Sequence, residues 1–120
     1  MDYKDEIIDH YKSPRNFGEM DDADLTINES NSSCGDVVQV QLKMNGEKIE
    51  EMRWRGVGCA ISTAAASMLS EKVVGMKFSD IEKIGEKGIV EMMGGEINTG
   101  RMKCATLAYR ALQKVLEKND

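Results

Sequence analysis

The spacing of apolar residues along this chain alternates between helical and strand periods, and the changes of period mark its elements. Ile7, Ile8 and Tyr11 place an apolar edge at helical spacing, which predicts a short helix over residues 6–12. Ser13-Pro14 ends it, because the residue before a proline disfavours the helical region. Residues 21–33 are rich in Asp, Asn and Ser and predict loop, with a short strand around residues 25–27. Val38, Val40, Leu42 and Met44 then alternate with polar neighbours, as in a half-buried strand. Asn45-Gly46 is a hairpin signal, since both turn positions need positive φ. The returning strand is expected over residues 48–55, with Met52 and Trp54 inward and Ile49 out of phase.

The second half reads as helical. Ile61, Ala64, Ala65, Met68, Leu69 and Val73 form one stripe, and Gly75 is a suitable stop. Ser79-Asp80-Ile81-Glu82 has the form of a capping box opening a third helix that runs to about residue 87. Residues 89–100 read as loop, broken most clearly at Gly94-Gly95. Cys104, Leu107, Ala108, Ala111, Leu112 and Val115 define a closing amphipathic helix. No repeat or linker divides the pattern, and 120 residues suit one compact unit, so 1–120 is expected to be a single domain.

Composition narrows the function classes. A formal charge of -5, with both signs interspersed, leaves no basic stripe to follow a phosphate backbone, so nucleic acid is not an expected partner. Apolar runs fall well short of the roughly 20 residues of a membrane span, and the start of the chain lacks the regions of a signal peptide. A soluble, cytoplasmic protein is the expectation. The nine methionines form no thioether cluster and read as soft core filler.

The chemistry concentrates in the cysteines. Cys34, Cys59 and Cys104 are an odd number without a CxxC pair, which fits a reducing compartment better than a disulfide framework. Small buried hydrophobes are the competing role for all three. Their contexts point elsewhere: Ser33-Cys34-Gly35-Asp36 and Gly58-Cys59-Ala60 are turn-like, and Cys59 and Cys104 each open a helical pattern. Helix starts favour the thiolate, the form that reacts and binds metal. Asp36, two residues beyond Cys34, is the natural fourth ligand. A hard carboxylate holds thiophilic metal less firmly than a thiolate does, so one oxygen ligand suits cargo meant to leave. His10, in the first helix, reads as a packing or surface residue, Trp54 as core, and Ser62 and Thr63 as first-turn polar residues with no base nearby.

The segments Ile7-Ile8-Asp9-His10-Tyr11-Lys12-Ser13-Pro14-Arg15-Asn16-Phe17-Gly18, Ser33-Cys34-Gly35-Asp36, Gly58-Cys59-Ala60-Ile61-Ser62 and Lys103-Cys104-Ala105 together resemble, in order and spacing, the IscU/NifU N-terminal scaffold family. The resemblance implies an α+β fold, a small antiparallel β-sheet packed against helices, with the ligands gathered at one end. It also implies that the protein accepts sulfur from a cysteine desulfurase, builds a [2Fe-2S] cluster from that sulfur and iron, and passes it to apo iron–sulfur acceptor proteins. Cys34, Asp36, Cys59 and Cys104 fall on the family's ligand positions. A homodimer around a cluster is allowed by three cysteines per chain but not required.

Two departures keep a second activity open. Lys103 stands where IscU proteins carry His, and a protonated lysine has no lone pair to offer a metal. It is an auxiliary candidate, as a solvated cation, as support for the Cys104 thiolate, or as a partner of Asp36 when no metal is present. Ile97-Asn98-Thr99-Gly100-Arg101 replaces the segment that a dedicated chaperone recognises in IscU. Lys-Cys-Ala is instead similar to the SufU branch, whose members bind zinc and relay sulfur, although their insertion between the second and third cysteines is missing here. The expectation is a scaffold and not an enzyme; the alternatives are a zinc-dependent sulfurtransferase and a domain with a purely structural zinc.

Overall fold

A computed structural model describes residues 3–31, 35–95 and 97–118. The chain runs α1 (Tyr3–Lys12), β1 (Leu25–Asn31), β2 (Asp36–Asn45), β3 (Lys48–Val57), α2 (Ala60–Val73), α3 (Phe78–Met92), a 3-10 turn (Thr99–Arg101), α4 (Met102–Ala105) and α5 (Leu107–Lys118). The three strands form an antiparallel meander in the order β1-β2-β3. Helices cover one face of it, which is the expected α+β architecture. Among the described residues no helix is long and apolar enough to cross a membrane.

The sheet follows its alternation. Val38, Val40 and Leu42 point inward and are buried, while Val37 on the opposite face is exposed. The out-of-phase Ile49 has a simple explanation. The register passes from Lys43↔Glu51 to Met44↔Ile49, so Glu50 is an extra residue in β3. This bulge turns Ile49 to the same buried face as Met52 and Trp54. The hairpin falls at this signal but one residue later than the pattern expects: Asn45 pairs with Lys48, so Gly46 and Glu47 are the central turn residues, and of the two Gly46 alone takes positive φ (+64°).

The helix α2 is buried on more than the single stripe its pattern predicts. Ala64, Ala65 and Ala66, together with Ser67, Leu69, Ser70 and Val73, are all inaccessible or nearly so. Its small side chains let α1, β3 and α5 approach from different sides. Ser67 and Ser70 are tolerated there because a polar seam satisfies them. The Ser67 hydroxyl accepts the Arg15 N–H at 2.8 Å and lies 2.6 Å from His10 Nδ1. The Ser70 hydroxyl donates to the Ser67 carbonyl at 2.6 Å and accepts from Asn16 Nδ2 at 3.0 Å. The Trp54 indole donates to the Arg15 carbonyl at 2.8 Å, tying the same segment to β3. His10 is thus a packing residue of the α1–α2 seam. Its pKa is lowered, by burial first and by Arg15 second, against the opposing pull of Glu71, Asp9 and Glu6.

The third helix departs from expectation at both ends. It starts at Phe78, after Lys77, so Ser79 lies inside it and caps nothing. It also continues beyond residue 87 to Met92, across a kink at Gly85 (φ 65°, ψ 172°). The kink is bridged by Tyr109 of α5, whose hydroxyl accepts the Gly85 N–H at 2.9 Å and donates to the Ile81 carbonyl at 2.9 Å. These are the two groups that an unbroken helix would have joined to each other. The closing helix is likewise split. Thr106 leaves helical geometry between α4 and α5, and its hydroxyl bonds back to the Met102 carbonyl at 2.8 Å.

Tyr109 is fully buried, so removing its hydroxyl strands a carbonyl and an N–H in the core. Tyr109→Phe is therefore expected to cost about 1–3 kcal/mol of stability, with secondary structure retained. Urea unfolding followed by circular dichroism measures it, and an unchanged midpoint would remove the hydroxyl from the account of the kink.

Candidate metal centre

Three chain segments meet at one end of the sheet. β2 begins there with Asp36, which is paired in register with Asn31 of β1 and is buried. Gly35 just before it adopts φ +74° and donates its N–H to the Asn31 carbonyl at 2.9 Å, closing the β1–β2 connection in a conformation that favours glycine. Cys34 itself lies outside the described residues. β3 ends at the same place, and Gly58 carries the chain into Cys59, the N-cap residue of α2, in extended geometry. Cys104 comes from α4 below, buried at 5% exposure.

The ligand atoms of Asp36, Cys59 and Cys104 all lie within 4.8 Å of one another. Neither Cys59 nor Cys104 is in a disulfide. The sequence suggested exposed turns and helix starts, and the structure draws a finer picture. Of the described site residues Cys59 is partly open, while Asp36 and Cys104 are buried because they sit at the start of an inner strand and in a packed turn of helix. A cleft of about 420 Å³ lined by Cys59, Ala60, Ile61, Ile97, Asn98 and Arg101 leads to the open thiol.

Glycine at position 58 permits a close approach of side chains. A Cβ there would fall 2.2 Å from the Ser62 hydroxyl oxygen, 3.1 Å from Asp36 Cγ and 3.2 Å from Asp36 Oδ1. The carboxylate, the serine and the glycine thus crowd one point beside Cys59. Asp36 Oδ2 is buried and, among the described residues, has no hydrogen-bond partner, an unusual state for a carboxylate oxygen. Two thiols and an unsatisfied carboxylate oxygen converging in this way fit a thiophilic cation or cluster, which would supply the missing partner.

The electrostatics favour thiolate at the open cysteine. Burial pushes the Cys59 thiol up, but the N–H and hydroxyl of Ser62, the thiol of Cys104 and the N–H of Ile61 outweigh it and hold the group below its ordinary value. The N–H groups act as helix-end dipoles, since no side-chain bond formally caps α2. Lys103 is exposed, and among the described residues no ion pair joins it to Asp36. Its carbonyl is held by Arg110 Nη2 at 2.8 Å, which braces the turn that carries Cys104. Ser62, read from the sequence as an ordinary first-turn residue, borders the site. Its offset of three from Cys59, on the first turn of the same helix, is the signal that could have found it.

The fold and this cluster of donors define a small α+β protein built around a shared sulfur and oxygen site. The profile of the NifU-like N-terminal domain matches residues 2–119, and the chain belongs to that family. Its relatives include SufU of Bacillus subtilis (strain 168), named a zinc-dependent sulfurtransferase, 33% identical over an alignment of 135 positions, gaps included, that covers 98% of this chain and 91% of the relative. IscU of Escherichia coli (strain K12), named an iron–sulfur cluster assembly scaffold protein, is 32% identical over 97% of this chain and 92% of its own. IscU 1 of Archaeoglobus fulgidus carries the same description and is 32% identical over 95% of this chain and 74% of its own. The crystal structure of a NifU-like protein (N-terminal) from Brucella abortus shares the fold, with a TM-score of 0.81 at 16% identity over 97% of this chain and 92% of that one.

In the metal-free protein, Cys59 is expected to react with iodoacetamide ahead of buried Cys104. Because its pKa is lowered, its rate should rise with pH through a midpoint below that of an unperturbed cysteine thiol measured alongside it. Peptide mapping by mass spectrometry across a pH series checks both, and a midpoint at or above the free-thiol value would contradict the assigned environment.

Proposed function

We propose that the chain is a cytoplasmic scaffold, one domain over residues 1–120, on which a [2Fe-2S] cluster is assembled from iron and sulfur supplied by a cysteine desulfurase and then passed to apo iron–sulfur proteins. Cys34, Asp36, Cys59 and Cys104 are its ligands. The observation that supports this most directly is the convergence of Asp36, Cys59 and Cys104 within 4.8 Å, with Asp36 Oδ2 buried and unsatisfied. The cluster is cargo in this reading, and the chain is not an enzyme.

Each residue has a part that follows from its position. Of the two described cysteines, Cys59 faces the cleft and carries the more available thiolate, so between them it is the better placed to meet incoming sulfur. Its thiolate attacks the outer sulfur of the donor's persulfide, the donor's S–S bond breaks, and the donor leaves as a thiolate while a persulfide forms here. Cys104 lies deeper and holds cargo away from solvent. Asp36 is the hard ligand of the set, and its weaker hold is what leaves one corner open to an acceptor's thiol.

A second reading is a zinc-dependent sulfurtransferase, in which zinc anchors the thiolates and one cysteine relays sulfur as persulfide. It is favoured by Lys103 and by the similarity to the Bacillus subtilis protein across nearly the whole chain. Anaerobic isolation with metal and acid-labile sulfide analysis separates the two. Iron with equal sulfide is the outcome expected of the scaffold, and zinc that sulfide and iron cannot displace on reconstitution would move the assignment to the second reading.

The role of Asp36 has its own test. Asp36→Cys should retain the cluster and slow its transfer to an apo-ferredoxin by about tenfold, the effect of about 1.4 kcal/mol of stronger ligation in the barrier to release. Transfer is followed by the ferredoxin's visible circular dichroism, with both proteins first brought to equal loading. Equal rates would show that Asp36 is not the ligand that lets go.

A further inference from the structure

The Ser62 hydroxyl is placed unusually for a residue with a merely local duty. Its oxygen is 3.0 Å from the Cys59 carbonyl, to which it donates. That carbonyl is already satisfied, because the Thr63 N–H reaches it at 3.1 Å in the first hydrogen bond of α2. The second bond is therefore dispensable to the helix. Ser62 is also 93% shielded from solvent, so water does not compete for its hydroxyl. The missing side chain of Gly58 leaves the space that lets this hydroxyl and the Asp36 carboxylate border the same point. The same hydroxyl also reaches the Cys59 thiol, so a turn of its O–H bond alone moves the proton from the carbonyl to the sulfur.

We propose that Ser62 is a positioning residue of the centre: its hydroxyl, shared between the Cys59 carbonyl and the Cys59 sulfur in the empty protein, commits its proton to the sulfur when that sulfur ligates a metal. The inference rests on the reading of Asp36, Cys59 and Cys104 as ligands. A hydrogen bond to a ligating sulfur draws electron density from it and fixes its direction, and such outer partners tune both the affinity and the electronic properties of a site. Thr63 cannot substitute, since it contributes only its backbone N–H to this contact. The device serves zinc and cluster alike, because it acts on the sulfur.

Cobalt(II) titrated into the full chain under anaerobic conditions tests this without dependence on cluster chemistry, through the thiolate-to-cobalt charge-transfer band. Ser62→Ala is expected to move that band to longer wavelength, as the sulfur becomes more electron-rich, and to weaken cobalt binding by about tenfold. Ser62→Thr, which keeps the hydroxyl, should leave both near wild type. A band that stays in place in Ser62→Ala overturns the proposal even if affinity falls, because a structural defect alone would do that. Ser62→Thr behaving like Ser62→Ala overturns it too. Wild-type protein that binds cobalt without any thiolate band would instead remove the ligand assignment, and the role of Ser62 with it.

Discussion

The burial of α2 is the constraint on which the rest of this structure depends. A helix whose core-facing positions are mostly alanine and serine can be approached from several sides, and α1, β3 and α5 all pack on it. Close packing of this kind resists small displacements, so the start of the helix is held as firmly as its middle. Cys59 sits at that start, where β3 delivers the chain through Gly58. The same packing brings α4 beneath it and so fixes the depth of Cys104. A loop could not hold two sulfurs and a carboxylate at this separation with comparable precision.

The site is organised by depth. One thiol faces a cleft, while a second thiol and the carboxylate lie below it. An entering reactant therefore meets a reactive sulfur first and a protected pocket afterwards. That order suits cargo that must be received from one partner and kept from water before the next arrives. The glycine at position 58 leaves open the space that Asp36 and Ser62 share, which a side chain there would enter.

Much of this was legible in the residues. The alternation of β2, the Asn-Gly hairpin and the apolar spacing of the last helix each report a local period, and local periods survive folding. The cysteine contexts, read with four segments in order, pointed to one site. What escaped the sequence was set by contacts distant along the chain. The bulge at Glu50 depends on pairing with β2, and the kink at Gly85 is bridged by a hydroxyl 24 residues further on. The serines of α2 look like surface residues until the Arg15–Asn16 segment folds over them. Burial of Asp36 and Cys104 could not be read from turn-like neighbours, because it arises from packing and not from propensity.

The unsatisfied oxygen of Asp36 has a consequence beyond chemistry. A buried carboxylate oxygen without a partner costs the native state on the order of 1–3 kcal/mol, and a bound cation removes that cost. The empty chain thus opens more often at this end than the loaded one, and proteases that sample open states find it sooner. On the proposed function, the lifetime of each copy would then be tied to whether its site is filled, with no contact beyond the ligands themselves.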